Sequence, residues 1–166
     1  RIEAGHLLAL LLKEFKDNNN AIVLALPRGG IVTGKEVAKE LNLPLDIIVT
    51  RKVGAPMNQE YAIGAVDVDG DCVYNEDALS GIDIHCAELE KEKELKEARR
   101  RQALYRDTRP PLALSGKTAI IVDDGIATGM TVRSAVNYAK KLKADKIVVA
   151  SPLAPAEIVN NLKKEM

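Results

Sequence analysis

The run Thr118-Ala119-Ile120-Ile121-Val122-Asp123-Asp124-Gly125-Ile126-Ala127-Thr128-Gly129-Met130-Thr131 carries the most specific signal in the chain. Its first five residues form a short, mostly apolar run of strand length, and helical periodicity resumes from Gly129 to Lys141, so the segment reads as strand, loop, helix. In open α/β sheets ligands bind outside the carboxyl ends of the strands, and a helix N-terminus presents unpaired N–H groups to an anion. Gly125 and Gly129 would let the backbone wrap such an anion closely, while Thr128 and Thr131 add hydroxyl donors. Asp123 and Asp124, when ionised, only accept hydrogen bonds, as sugar hydroxyls require. The pattern suits a phosphorylated sugar.

Working outward, the same grammar recurs on both sides. Ala21 to Leu26 is a continuous apolar run ended by Pro27-Arg28-Gly29-Gly30, and Ile31 to Leu41 returns to helical spacing. After the break Asn42-Leu43-Pro44, Asp46 to Thr50 reads as a second buried strand and completes a βαβ unit. Downstream, Lys146 to Ala150 is a strand and Pro155 to Lys163 a last helix. The expected fold is therefore α/β, a doubly wound parallel sheet in one domain over residues 1–166.

The remaining segments read as additions to that sheet. Ile2, Ala4, Leu7, Leu8, Leu11 and Phe15 recur at helical spacing, and residues 51–60 show no periodicity, which reads as a mobile loop. Tyr61 to Val66 and Cys72 to Tyr74 then read as a small hairpin around the turn Asp67 to Asp71. Ile84 to Tyr105 is expected to be one long, mostly solvated helix whose thin apolar stripe is Ala87, Leu95, Ala98 and Tyr105. A small hood is expected from about residues 1–16 and 61–75, with the long helix beside it.

Composition narrows the function classes. With 24 basic and 24 acidic residues the formal net charge is zero, which disfavours bulk nucleic-acid binding and an anionic membrane surface. One Phe, four Tyr and no Trp leave few stacking platforms for single strands. Cys72 and Cys86 fit neither a metal knuckle nor a disulfide framework, so a reducing, cytoplasmic setting is expected. The run Leu7 to Leu12 stops at Lys13-Glu14, far short of the ~20 residues of a membrane span, and no signal peptide or membrane contact is expected. His6 and His85 lack ligand-spaced partners and receive no role, and both chain ends read as trimmed from a longer product.

Val122 to Thr131 resembles the phosphoribosyl-pyrophosphate (PRPP) signature of the type I phosphoribosyltransferases. That resemblance implies ribose-hydroxyl binding by Asp123 and Asp124. It implies a 5′-phosphate site at Gly125, Ala127, Thr128, Gly129, Met130 and Thr131. Pro27 to Gly30 resembles the family's pyrophosphate loop, giving Arg28, Gly29 and Gly30 to the leaving group, with a non-proline cis bond before Arg28. Arg51 and Lys52 stand where a basic residue closes the next strand in many members and are further pyrophosphate candidates. Residues 53–60 stand at the family's flexible flap, which closes over the reacting centre and excludes water.

The order of segments over nearly the whole chain is similar to a group of phosphoribosyltransferases of unassigned substrate. The resemblance implies Mg²⁺-dependent transfer of a 5-phosphoribosyl group from PRPP to an unidentified small-molecule, nucleobase-like acceptor, with release of pyrophosphate. Arg28, Lys52, Asp123 and Asp124 would carry catalysis, and Mg²⁺ would be held mainly by PRPP oxygens and water, with no protein metal cage. Members acting on hypoxanthine and guanine place an Asp where this chain has Ala127, which argues against that subgroup. The alternative is a PRPP- or nucleotide-sensing module without catalysis, although no helix-turn-helix or basic DNA-reading segment accompanies it. A homodimer is compatible with the family.

Overall fold

Every residue of Ala21-Ile22-Val23-Leu24-Ala25 is buried, as required of a strand covered on both faces. The computed structural model describes residues 1–165, so Met166 lies outside it. Helix α1 (Ile2–Leu11) leads through a 3-10 turn to β1 (Ala21–Ala25), α2 (Gly29–Leu41) and β2 (Leu45–Ile47). Then come β3 (Thr50–Ala55), β4 (Asn58–Asp67), β5 (Cys72–Tyr74), α3 (Glu76–Leu79) and α4 (Ile84–Arg106). The strand β6 (Thr118–Val122), helix α5 (Met130–Lys141), strand β7 (Lys146–Ala150) and helix α6 (Ala156–Glu165) follow.

Alternation along the strands decides the layers. Val23, Ile120 and Val122 pack against Leu8, Leu12 and Phe15 of the N-terminal segment and against Val37 and Leu41 of α2. Ile22, Leu24, Ala119 and Ile121 point the other way, onto Val132, Ala135, Val136 and Ala139 of α5 and Leu162 of α6. The sheet between these layers is parallel, in the order β2-β1-β6-β7. The chain leaves β1 toward one edge and β6 toward the other, so the strand order reverses between β1 and β6, the place where α/β sheets bind ligands.

A second sheet, β3-β4-β5, is antiparallel and stands apart from the first. Val53, Ala55, Ile63 and Val66 on one of its faces bury Ala87 and Leu95 of α4, while Ala98 packs with Val49 and Val68. Asp83 caps α4, its carboxylate accepting from Cys86 N at 3.1 Å. The second sheet is tied to the core by Lys141 on α5, which reaches Asp69 and Asp71 at 2.7 Å each, and by Arg106 of α4 with Asp46 at 2.5 Å.

Four expectations change. The N-terminal segment 1–16 does not join the hood, because its apolar face is consumed by α2 and the parallel sheet. Residues 51–60 are not a free loop. They form most of the β3–β4 hairpin, turned at Pro56-Met57, whose tip has little apolar alternation because residues 58–61 are exposed. The register slips on either side of Gly54, where an added Cβ would lie 2.5 Å from Gln59 O, so only glycine lets the two backbones approach. The strand expected at 46–50 divides: β2 ends at Ile47, Ile48 N still bonds Ala25 O at 3.2 Å, and Thr50 already belongs to the other sheet. Finally, α2 begins at Gly29, two residues earlier than its periodicity.

Candidate sugar-phosphate site

Strands β1 and β6 end side by side, with Ala25 opposite Val122, and Leu26 N extends the ladder to Val122 O at 2.9 Å. Whatever follows each strand must therefore meet. Two glycines make that contact possible. A Cβ on Gly30 would stand 2.7 Å from Val122 O and 3.1 Å from Asp123 Cα, and a Cβ on Gly29 would fall on the Asp124 carboxylate. The first turn of α2 thus nests against the acidic pair. The Pro27–Arg28 peptide is cis, as the resemblance implied, and Arg28 is exposed at the head of this turn.

The two carboxylates are not equivalent. Asp123 N is held by Ala150 O at 3.2 Å, and the Asp123 Oδ1 oxygen accepts from Asp124 N at 2.8 Å. Burial pushes the Asp123 carboxyl up to about 6; its bond from the Asp124 N–H opposes that shift and the neighbouring Asp124 carboxyl adds to it. Asp124 is more open, its side chain 26% exposed, and its Oδ2 accepts from Arg1 Nε at 2.7 Å. No motif in the sequence marks Arg1 for this contact.

The loop after the pair leads into a helix with no side-chain cap. Gly129 takes φ +77° as the N-cap of α5, a left-handed conformation that favours glycine, and a Cβ there would also press on Ile158 at 2.9 Å. No side chain caps α5, so Thr128 leaves the first amides of the helix open to a ligand. Ala127 and Thr128 are exposed, whereas Gly129 and Met130 are buried and fix the loop from beneath. Thr131 O accepts from Thr50 Oγ1 at 3.3 Å, which joins this loop to the start of β3.

That contact sorts the two basic candidates on β3. Side chains alternate along a strand, so Lys52 shares the face of Thr50 and Arg51 takes the opposite one. Arg51 is indeed bound to Glu94 of α4 at 2.7 Å, on the side away from the loop, while Lys52 makes a looser 3.3 Å pair with the exposed Glu60. Of the residues read from the sequence, Asp123, Asp124, Gly29 and Gly30 converge, and Gly125 to Thr131 borders them. Arg51 does not join them. Beyond Ala127 and Thr128 a cavity of about 670 Å³ opens between Tyr74 to Asp77 and α6, with Arg133 at its wall. Among the described residues no group of three or more His, Cys, Asp and Glu is placed to hold a metal ion, and no helix is long and apolar enough to cross a membrane.

The sequence pattern of the phosphoribosyl transferase domain matches residues 2–161. A Mycobacterium tuberculosis protein whose name assigns it provisionally to the phosphoribosyl transferases is 42% identical over 161 residues, 96% of this chain but 36% of its own length. The chain therefore spans about a third of that relative. A crystal structure of a Thermus thermophilus protein superimposes with a TM-score of 0.77 at 39% identity, covering 98% of this chain and 78% of the other. The purine phosphoribosyltransferase of Pyrococcus horikoshii gives a TM-score of 0.51 at 22% identity, over 90% and 68% of the two chains, which is a likeness of fold.

Proposed function

The chain belongs to the phosphoribosyl transferase domain family, and from that premise we propose that it transfers a 5-phosphoribosyl group from PRPP, with Mg²⁺, to a nucleobase-like acceptor and releases pyrophosphate. The observation that carries this reading is the meeting of two glycines of one loop with the acidic pair of another, at the point where the strand order reverses. In the reaction the bond from C1 of the ribose to pyrophosphate breaks, the acceptor forms the new bond to C1, and the acceptor's proton leaves to solvent or a nearby base.

Each residue has a task in that scheme. The amides of Ala127 to Thr131 and the hydroxyls of Thr128 and Thr131 bind the 5′-phosphate, with Gly125 giving the chain room to turn. Asp124, and Asp123 once ionised, accept from the ribose hydroxyls and so fix C1 in place. Arg28, Lys52 and the amides of Gly29 and Gly30 stabilise charge gathering on the leaving pyrophosphate. Arg51 is withdrawn from that set by Glu94. Two carboxylates at a strand end suit an ion that keeps most of its waters, so Mg²⁺ would rest chiefly on PRPP oxygens and supply charge neutralisation there. The β3–β4 hairpin tip would shield the centre from water.

The cavity beside Ala127 is the place for the acceptor. Because Ala127 brings no carboxyl to it, acceptors of the hypoxanthine and guanine type are set aside. A cytoplasmic setting accords with two free cysteines, Cys72 and Cys86. The test is a pyrophosphate-release screen with PRPP, Mg²⁺ and a panel of nucleobases. Turnover with one acceptor is the expected result. PRPP binding with no turnover on any acceptor would instead make the chain a sensor of PRPP.

A further inference from the structure

Arg1 stands 123 positions from Asp124 in sequence, yet its Nε donates to Asp124 Oδ2 at 2.7 Å. The helix that follows is seated firmly enough to hold it there. Gly5 lies so close to α2 that a Cβ would stand 2.7 Å from Glu36 Cβ and 2.8 Å from Thr33 O, and His6 reaches Glu40 at 3.2 Å from the same turn. Arg1 O accepts from Gly5 N at 2.9 Å, so the residue is part of the first turn of α1. The pairings Gly5 with Thr33 and His6 with Glu40 show α1 and α2 running in the same direction. Both helices therefore begin at the end of the sheet where the acidic pair sits.

We propose that Arg1 is a positioning residue of the sugar site: it holds Asp124 by Oδ2, leaves Oδ1 to accept from a sugar hydroxyl, and adds a cation beside the entering polyphosphate. The inference rests on the sugar-phosphate reading above. Its physical basis is simple. An aspartate free to rotate about its side chain has to be oriented when the ligand arrives, whereas one wedged between Gly29 and a guanidinium is oriented beforehand. Nε uses one of the five donors of the guanidinium, so the group can hold Asp124 and still face an anion. The Arg1 side chain is 60% exposed, which keeps the contact's share of fold stability small and leaves the guanidinium within reach of solvent-borne ligand.

The test compares Arg1→Gln and Arg1→Lys with the unsubstituted protein. Calorimetry with PRPP and Mg²⁺ is expected to show about a fivefold loss of affinity for Arg1→Gln at low salt, narrowing at high salt, and partial recovery in Arg1→Lys. KM for PRPP should rise with kcat little changed, and the melting temperature should stay put. In the ligand-free protein the carboxyl carbon resonance of Asp124 should move in Arg1→Gln. An unmoved resonance, or unchanged PRPP affinity in Arg1→Gln, overturns the role of Arg1. Absence of PRPP binding by the unsubstituted protein overturns the sugar reading instead, so the two failures are told apart.

Discussion

Asp123 enters a folded environment that favours its protonated form, since burial raises its carboxyl from an ordinary value near 3.9 to about 6. The fold binds this proton more tightly than the unfolded chain does. Its stabilising contribution is therefore full below about pH 4, declines as pH rises, and is gone above about pH 6. On the proposed role, sugar binding would run the other way, because an ionised carboxylate accepts more strongly from ribose hydroxyls. Asp123→Asn should flatten the stability slope between pH 4 and 6 in denaturant melts and lessen the rise of sugar-phosphate affinity over the same interval. A slope identical to that of the unsubstituted protein would contradict this. Gly29 gives a second residue-scale prediction. Alanine at the first position of α2 favours the helix by up to about 1 kcal/mol, yet its Cβ falls on the Asp124 carboxylate. Gly29→Ala should keep or raise the melting temperature while lowering PRPP affinity by roughly tenfold or more; unchanged affinity would show that Asp124 is not held where the ligand needs it. The acidic pair and the two glycines were legible in the sequence because both sit on strand-to-loop boundaries that composition marks. Arg1 was not, since its partner is supplied only by the packing of α1 on α2.

At the scale of elements, the β3 strand separates two adjacent basic residues into two jobs. Arg51 joins β3 to α4 through Glu94, a mostly buried pair, and Arg51→Ala would leave Glu94 without its partner at a cost of about 1–3 kcal/mol. Lys52→Ala, whose partner Glu60 is exposed, should change stability by less than about 0.5 kcal/mol and instead weaken pyrophosphate binding. Melts and pyrophosphate calorimetry on both variants check this; the opposite assignment would reverse the faces of β3. In the sequence Arg51 and Lys52 stand together just past a strand end, where no face is defined. The core strands β1, β6 and β7 were legible as contiguous apolar runs. The small β4–β5 hairpin was legible too, but the β3–β4 hairpin was not, because its tip pairs through backbone hydrogen bonds and a bulge at Gly54 while its side chains stay in solvent.

For the whole molecule, the parallel sheet brings the acidic pair, the glycine turn and the loop 125–131 together at the carboxyl ends of β1 and β6, and the antiparallel sheet packs against α5. Thr50 bonded to Thr131 O, and Lys141 bonded to Asp69 and Asp71, join the two bodies at the start of α5 and at its far end. The doubly wound order was legible from alternating strands and helices, but the N-terminal helix went to the parallel sheet because Leu8, Leu12 and Phe15 match that face. The central claim is that a phosphorylated sugar lies across the reversal of strand order between β1 and β6. A crystal structure with PRPP and Mg²⁺ tests it most directly. The account predicts the 5′-phosphate against the amides of Ala127 to Thr131, ribose hydroxyls on Asp123 and Asp124, and pyrophosphate beside Arg28 to Gly30. PRPP bound elsewhere with the carboxyl ends of β1 and β6 empty would contradict it.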